Sequence, residues 1–352
     1  MVAHLKGIKI MRLSFSKTLR ILLINSIISL LTFRPSFAVP SEIATPCING
    51  TFIQLSSAQG EWLPSKWENL FYYFRQVNLS QLVIQWTIYD EISFYPSENH
   101  QNVQYPPLEI ILQLADNAGM QVYIGLVHDS LYWNKIDQES TLVRRYLDQL
   151  LSLSVLVASE LNPLVERHPS FKGWYIPQEI DDINWLTGEA KETLFNYLGN
   201  LRGYLHHLSS GKSVMLSGFS NATINPQTLE IFWSELLKKT AIDIILFQDG
   251  IGTNKLQVEE LPVYLTAIHN AVKTNLSELH IVVEIFTQTA GSPIDNREFQ
   301  AIPAPLGRIK QQIIIASSFS STIIAFSIPE YMSPQGGRLA RQLYKKYLNM
   351  AQ

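Results

Sequence analysis

His280-Ile281-Val282-Val283-Glu284-Ile285-Phe286 is a run of mostly β-branched and aromatic residues interrupted by one carboxylate, and Gly173-Trp174-Tyr175-Ile176-Pro177-Gln178-Glu179-Ile180 shows the same pattern earlier in the chain. A short, almost wholly apolar run fits a strand buried on both faces, and an acid near its end marks where the strand leaves the core. Such strands belong to parallel sheets covered by helices, either a closed barrel or an open doubly wound sheet. In both architectures the ligand lies at the carboxyl ends of the strands. Glu179 and Glu284 are therefore the first candidates for chemistry.

Outward from these two stretches the chain alternates between strand-like and helix-like segments. Strands are predicted at Gly50 to Leu55, Gln81 to Thr87, Met120 to Leu126, Gly173 to Ile180, Lys212 to Phe219, Ile242 to Gln248, His280 to Phe286 and Thr322 to Ile328. Helical patterns separate them. Pro64 opens the first, with Trp67, Leu70, Phe71 and Phe74 at helical spacing, and Gly119 stops the second. A long loop rich in Pro, Gly and Ala is expected after strand seven, and a terminal helix from about Gly337. Eight strand–helix units argue for an α/β fold closed into a single (β/α)8 TIM barrel. The open-sheet alternative usually carries a glycine-rich turn after its first strand; here that turn reads Ser56-Ser57-Ala58-Gln59-Gly60, with neither G-x-G-x-x-G nor a P-loop.

The 352 residues suit one such barrel, and 46% hydrophobic content supports a large core. The beginning of the chain reads differently. His4, Lys6, Lys9, Arg12, Lys17 and Arg20 precede the apolar run Ile21 to Phe33 and the small-x-small pattern Ser36-Phe37-Ala38, so residues 1–38 are expected to be a secretory signal peptide and residues 39–352 the barrel domain. An uncleaved anchor is the alternative, although the apolar run is short for a span and contains Asn25. The leader holds six of the 27 Lys and Arg and none of the 30 Asp and Glu, leaving 21 against 30, a net charge of −9. An acidic domain without a basic cluster excludes nucleic acid as the favoured partner. The expected location is secreted or periplasmic, with no stable membrane span once the leader is removed. Cys47 is the only cysteine, so neither an intrachain disulfide nor a cysteine metal cluster can form, and its place just after the leader suits a thiol in an arm better than a nucleophile. Four Asn-x-Ser/Thr sequons, at Asn49, Asn78, Asn221 and Asn275, matter only in a glycosylating host.

The predicted strand ends carry polar residues at one level: Gln54, Gln85, Gln178 with Glu179, Gln248 with Asp249, Glu284, and Glu330 with Tyr331. Buried amides and carboxylates are costly without partners, so a ring of them is better explained as the lining of a polar cleft. Trp86, Tyr95, Trp133, Trp185, Phe286 and Tyr331 fall at or just after strand ends, where flat apolar faces suit stacking on sugar rings. Asp249, in Phe247-Gln248-Asp249-Gly250-Ile251-Gly252, fits either a turn in which it caps the following backbone or a third acid raising a neighbour's pKa. Carboxylates on strands four and seven face each other across a barrel mouth, the arrangement that glycoside cleavage needs.

By strand position the chain resembles the retaining glycoside hydrolases of clan A. That resemblance implies Glu179 as acid/base and Glu284 as nucleophile. Those enzymes usually carry Asn directly before the acid/base, to hold the sugar 2-hydroxyl; here the neighbour is Gln178, which offers the same donor and acceptor on a longer arm. A closer resemblance rests on Gly50-Thr51-Phe52-Ile53-Gln54, Ile84-Gln85-Trp86, Gly119 to Leu126, Phe171 to Glu179, Phe247 to Gly252, Val283-Glu284-Ile285-Phe286 and Tyr331-Met332-Ser333-Pro334. These segments resemble a bacterial family described as domain of unknown function 4434, grouped with the glycoside-hydrolase-type TIM barrels. The resemblance implies the barrel and says little about substrate.

The leading expectation is thus an exported, retaining glycosidase acting on a poly- or oligosaccharide, with Glu179 and Glu284 catalytic and Gln54, Gln85, Trp86, Gln178, Gln248, Asp249 and Tyr331 binding substrate. No cofactor or metal is called for. A non-catalytic carbohydrate-binding barrel in polysaccharide export or capture would use the same amides and aromatics. A metal-dependent hydrolase using Glu179, Asp249 and Glu284 is a third reading, without a His-x-His or H-E-x-x-H pattern to support it.

Overall fold

A computed structural model of the protein describes residues 46–351; the expected signal peptide, residues 1–38, lies outside them. Eight parallel strands among the described residues close into a barrel in sequential order. They are β1 (Gly50–Ile53), β2 (Gln81–Ile84), β3 (Gln121–Gly125), β4 (Phe171–Ile180), β5 (Ser213–Gly218), β6 (Ile244–Gln248), β7 (Glu278–Glu284) and β8 (Ile323–Phe326). Each is followed by one main helix: α1 (Pro64–Gln76), α2 (Leu108–Ala118), α3 (Ser140–Val165), α4 (Gly188–Leu208), α5 (Pro226–Thr240), α6 (Leu261–Thr274), α7 (Leu306–Ser317) and α8 (Arg338–Ala351). The expected TIM barrel is present, and β8 pairs with β1 to close it.

Two apolar layers explain why the strands read as continuous hydrophobic runs. Phe52, Val83, Tyr123, Tyr175, Met215, Leu246, Val282 and Ile324 fill the barrel interior, while alternate residues such as Ile53, Ile84, Trp174, Ile176, Ile281 and Val283 pack outward under the helices. Local signals set the helix ends. Thr187 and Asn225 cap α4 and α5 by accepting from the N–H of Ala190 and Thr228, and Gly119 ends α2 at φ +66°, a left-handed conformation that glycine adopts without a Cβ penalty.

Two segments depart from expectation. β2 stops at Ile84 rather than Thr87; Ile88–Tyr89, Ile92–Ser93, Gln101–Asn102 and Val127–His128 then build a small separate sheet over the mouth of the barrel. The stretch after β7 is a β-hairpin, not a loop: Phe286–Ala290 pairs antiparallel with Gln300–Pro303. Gly291, at φ +95°, and Pro293 occupy the connection, so composition dominated by the connection hid the strands on either side. Phe286 accordingly begins this hairpin rather than ending β7.

Candidate active site

β4 carries Glu179 to the mouth through a local break in its ladder. Pairing with β5 runs regularly to Ile176–Leu216 and resumes only at Ile180–Gly218. Pro177 sits in the interruption, where its missing N–H costs no ladder bond, and irregularities of this kind re-aim side chains. Pro177 and Glu179 share the inward parity of Tyr175, and both line a cavity of about 370 Å³ at the carboxyl ends of the strands. Glu284 shares the parity of Val282 on β7 and opens into the same cavity. Gln54, Gln85, Trp86, Gln248 and Tyr331 line it as well.

Each glutamate is held. Gln248 Nε2 donates to Glu179 Oε1 at 2.6 Å, and the Tyr132 hydroxyl donates to the Glu179 backbone carbonyl at 3.0 Å. Glu284 is only 4% exposed, and its Oε2 accepts from the Thr253 backbone N–H at 2.9 Å. Gly252 makes that approach possible: a Cβ there would lie 2.8 Å from Glu284 Cβ and 2.7 Å from the Phe286 carbonyl oxygen. Behind the strand, Arg308 donates to the carbonyls of Glu284, at 2.9 Å, and of Phe286, fixing the turn from β7 into the hairpin.

Electrostatics push both acids toward the protonated form. Burial raises Glu179, opposed by the Gln248 hydrogen bond and the Lys255 cation and reinforced by Glu284. Burial and then the like charge of Asp249 raise Glu284 to about 7, against the pull of Lys255 and the N–H groups of Thr253 and Gly252. His128, stacked on Trp86 with ring centroids 4.7 Å apart, is lowered by burial, its neutral form favoured despite Asp90 and Asp129 nearby.

Two expected binding residues face elsewhere. Gln178 has the outward parity of Ile176 and is 2% exposed; its Nε2 donates to the Val127 carbonyl at 2.8 Å and its Oε1 accepts from the Tyr197 hydroxyl at 2.8 Å. It braces β4 against α4 and does not line the cavity, so a sugar 2-hydroxyl is out of its reach. Asp249 is fully buried behind β7: Oδ1 accepts from the backbone N–H of Ile251 and of Glu284, each at 3.2 Å, and Oδ2 from Gln312 Nε2 at 2.6 Å. It is the turn-capping acid and also raises Glu284, but it does not line the cleft. The trio of Glu179, Asp249 and Glu284 therefore does not converge on one point, and among the described residues no group of three or more His, Cys, Asp or Glu is placed to hold a metal.

Of the aromatics singled out in the sequence, Trp86, Trp133, Phe286 and Tyr331 line the cavity. Tyr95 instead donates its hydroxyl to Glu160 at 2.6 Å, and Trp185 is buried outside the cleft. Phe286 and Tyr331 lie with ring centroids 5.1 Å apart on one wall, and Trp86 with Tyr89 and His128 form another. Glu330 is turned toward Ser327, whose hydroxyl donates to it, and does not line the cavity. Sequence reasoning missed Lys255, Thr253, Phe299 and Phe326. Only the glycine-flanked turn after β6 hinted at the first two; Phe299 was hidden in the unrecognised hairpin.

A closed (β/α)8 barrel whose cleft is flanked by glutamates from β4 and β7 defines a TIM-barrel protein with a pair of carboxyl groups at the mouth of its barrel. The chain belongs to the family described as domain of unknown function DUF4434, which it matches over residues 48–337. It is 26% identical over 281 residues to the uncharacterized protein YbcH of Escherichia coli (strain K12), covering 80% of this chain and 89% of that one. Among solved structures it is similar to that of a putative alpha-L-fucosidase from Bacteroides thetaiotaomicron, with a TM-score of 0.73, 20% identity and coverage of 87% of this chain and 95% of that chain. It also resembles the β-galactosidase of the psychrophilic Marinomonas ef1, with a TM-score of 0.55, 10% identity and coverage of 86% of this chain and 59% of that enzyme. At these identities the likeness to solved structures is one of fold. None of the helices of the described residues is long and apolar enough to cross a membrane.

Proposed function

We propose that the protein is an exported glycoside hydrolase that cleaves a poly- or oligosaccharide with retention, using Glu179 as acid/base and Glu284 as nucleophile. The observation that carries this reading is that both carboxyl groups, raised from different strands, open into one cavity walled by aromatic rings. Protonated Glu179 gives its proton to the glycosidic oxygen while Glu284 attacks the anomeric carbon. The C–O bond to the leaving group breaks as a glycosyl ester forms on Glu284. Glu179, now ionised, takes a proton from water, the water oxygen attacks the same carbon, and Glu284 is released. Thr253 occupies Glu284 Oε2, leaving Oε1 for the anomeric carbon. Gln248 holds Glu179, Gln54 and Gln85 meet hydroxyls, and Trp86 and Tyr331 stack against the sugar faces.

Hydrolysis of a broad glycan panel by the purified protein, beside Glu179→Gln and Glu284→Gln, tests this. Cleavage that collapses in both variants, with the first-formed product keeping its anomeric configuration by NMR, is the expected result. Inversion of configuration would remove the nucleophile role from Glu284. Absence of cleavage, with some glycan bound equally by all three proteins, would make the barrel a carbohydrate-binding module.

A further inference from the structure

We infer that Lys255 is a positioning residue for the two glutamates, a cation built into the cleft as their counter-charge, and that the site consequently takes uncharged sugar. The consequence for substrate rests on the glycosidase reading above; the counter-charge itself stands on the geometry of the loop after β6.

That loop wraps Glu284. Gly252 packs against the Glu284 side chain, Thr253 donates its N–H to Oε2 at 2.9 Å, and two residues later Lys255 enters the same cavity, its own N–H anchored to the Gly250 carbonyl at 2.8 Å. Lys255 Nζ lies 3.2 Å from the centroid of the Phe219 ring. An ammonium against an aromatic face is attracted by the ring quadrupole and is short of water, so its charge is felt strongly by its neighbours. The carboxyl groups that act on its charge come from three elements: Glu179 from β4, Asp181 and Asp182 from the segment after it, and Glu284 from β7; burial outweighs them and leaves the Lys255 pKa below the usual lysine value, while these acids oppose that fall.

Two of those acids are already engaged. Asp181 accepts from the N–H and Nδ2 of Asn184 at 3.0 and 2.8 Å, and Asp182 from the Ser220 hydroxyl at 2.6 Å and the Asn221 N–H at 2.8 Å. Asp249, behind Glu284, is matched by Gln312 and Arg308. Of the four, only Glu179 and Glu284 line the cavity that Lys255 enters. With one proton on that pair, one carboxylate and one ammonium cancel. Among the described residues no other Lys or Arg lines the cavity, so a uronate or sulfated sugar would bring a buried anion with no spare cation to receive it.

The test is a 13C NMR titration of glutamate carboxyls in the full-length protein, with Glu179→Gln and Glu284→Gln assigning the two signals. In Lys255→Gln the Glu284 midpoint should rise by about one pH unit, a tenfold weaker acid, and Lys255→Arg should restore it. Lys255→Met, which keeps the apolar contact with Phe219, carries the same measurement should the Gln variant not fold. A midpoint that does not move, or moves down, overturns the inference. On a neutral glycan that the parent cleaves, Lys255→Gln should lower kcat and move the acidic limb of kcat/KM upward while KM changes little. A loss confined to KM and to uronate or sulfated glycans would make Lys255 a receptor for substrate anions and overturn it equally. The titration needs no turnover, so failure to cleave any glycan would sink the glycosidase reading while the role of Lys255 is still decided.

Discussion

Gln248 and Glu179 meet across the barrel mouth, the carboxamide from β6 donating to the carboxylate from β4 at 2.6 Å. A hydrogen bond to the charged form lowers a carboxyl pKa, so Gln248 limits how far burial can raise Glu179. Gln248→Met should therefore raise Glu179 further, moving the alkaline limb of a kcat pH profile to higher pH and lowering kcat roughly tenfold through loss of orientation. An unmoved alkaline limb would show that this bond does not govern the acid.

In the proposed mechanism the pair works with one proton, so loss of the first proton should open activity and loss of the second should close it. Glu284 is raised from 4.5 to about 7 and Glu179 is raised as well. The optimum of kcat/KM is expected near neutrality, above the ordinary carboxylate range, and an optimum near pH 4 would contradict the buried geometry.

Asp249 acts on Glu284 through like charge, so Asp249→Asn should lower the Glu284 pKa and move the acidic limb to lower pH. The exchange is sterically mild: the retained oxygen can still accept the N–H groups of Ile251 and Glu284, and Gln312, whose Oε1 has no partner, can flip to accept from the new amide. Movement of the limb upward would mean that Asp249 matters only for shape.

Stability should carry the same signature. Folded Glu284 keeps its proton up to about 7, whereas the unfolded carboxyl releases it near 4.5, so stability is greatest below 4.5, declines as pH rises toward 7, and bears the whole penalty above it. Glu284→Gln removes that penalty. Its Tm relative to the parent should be higher at pH 8 than at pH 4, as thermal melts at the two pH values would show.

Gly252→Ala places a methyl 2.8 Å from Glu284 Cβ and 2.9 Å from its Oε2. Overpacking of this kind costs about 1–3 kcal/mol, and it displaces Glu284 in particular. A lower Tm together with a fall in kcat larger than that of Gly203→Ala, a helical site with open space around it, is the expected outcome.

Much of the barrel is legible in the chain because each unit carries its own local signals. Runs buried on both faces mark the strands, and Pro64 and Gly119 mark helix ends near where they fall. The hairpin after β7 escaped because its long connection is rich in turn residues and its strands are short. Within the cleft, parity along a strand separates Glu179 from Gln178 and Gln248 from Asp249. Parity is set by the pleat, but which parity faces inward depends on how the sheet closes, and the break at Pro177 lies where such counting is least secure.

Linear order was thus enough to specify eight strand–helix units and to put a glutamate at the ends of the fourth and seventh, since burial on both faces and helix capping act over a few neighbouring residues. Closure of the barrel decided the rest: which of two adjacent polar side chains enters the cleft, that Asp249 stands behind Glu284, and that Lys255 on a turn joins two glutamates distant from it in sequence. Those relations depend on contacts between segments that only the closed sheet brings within reach, and no local pattern encodes them.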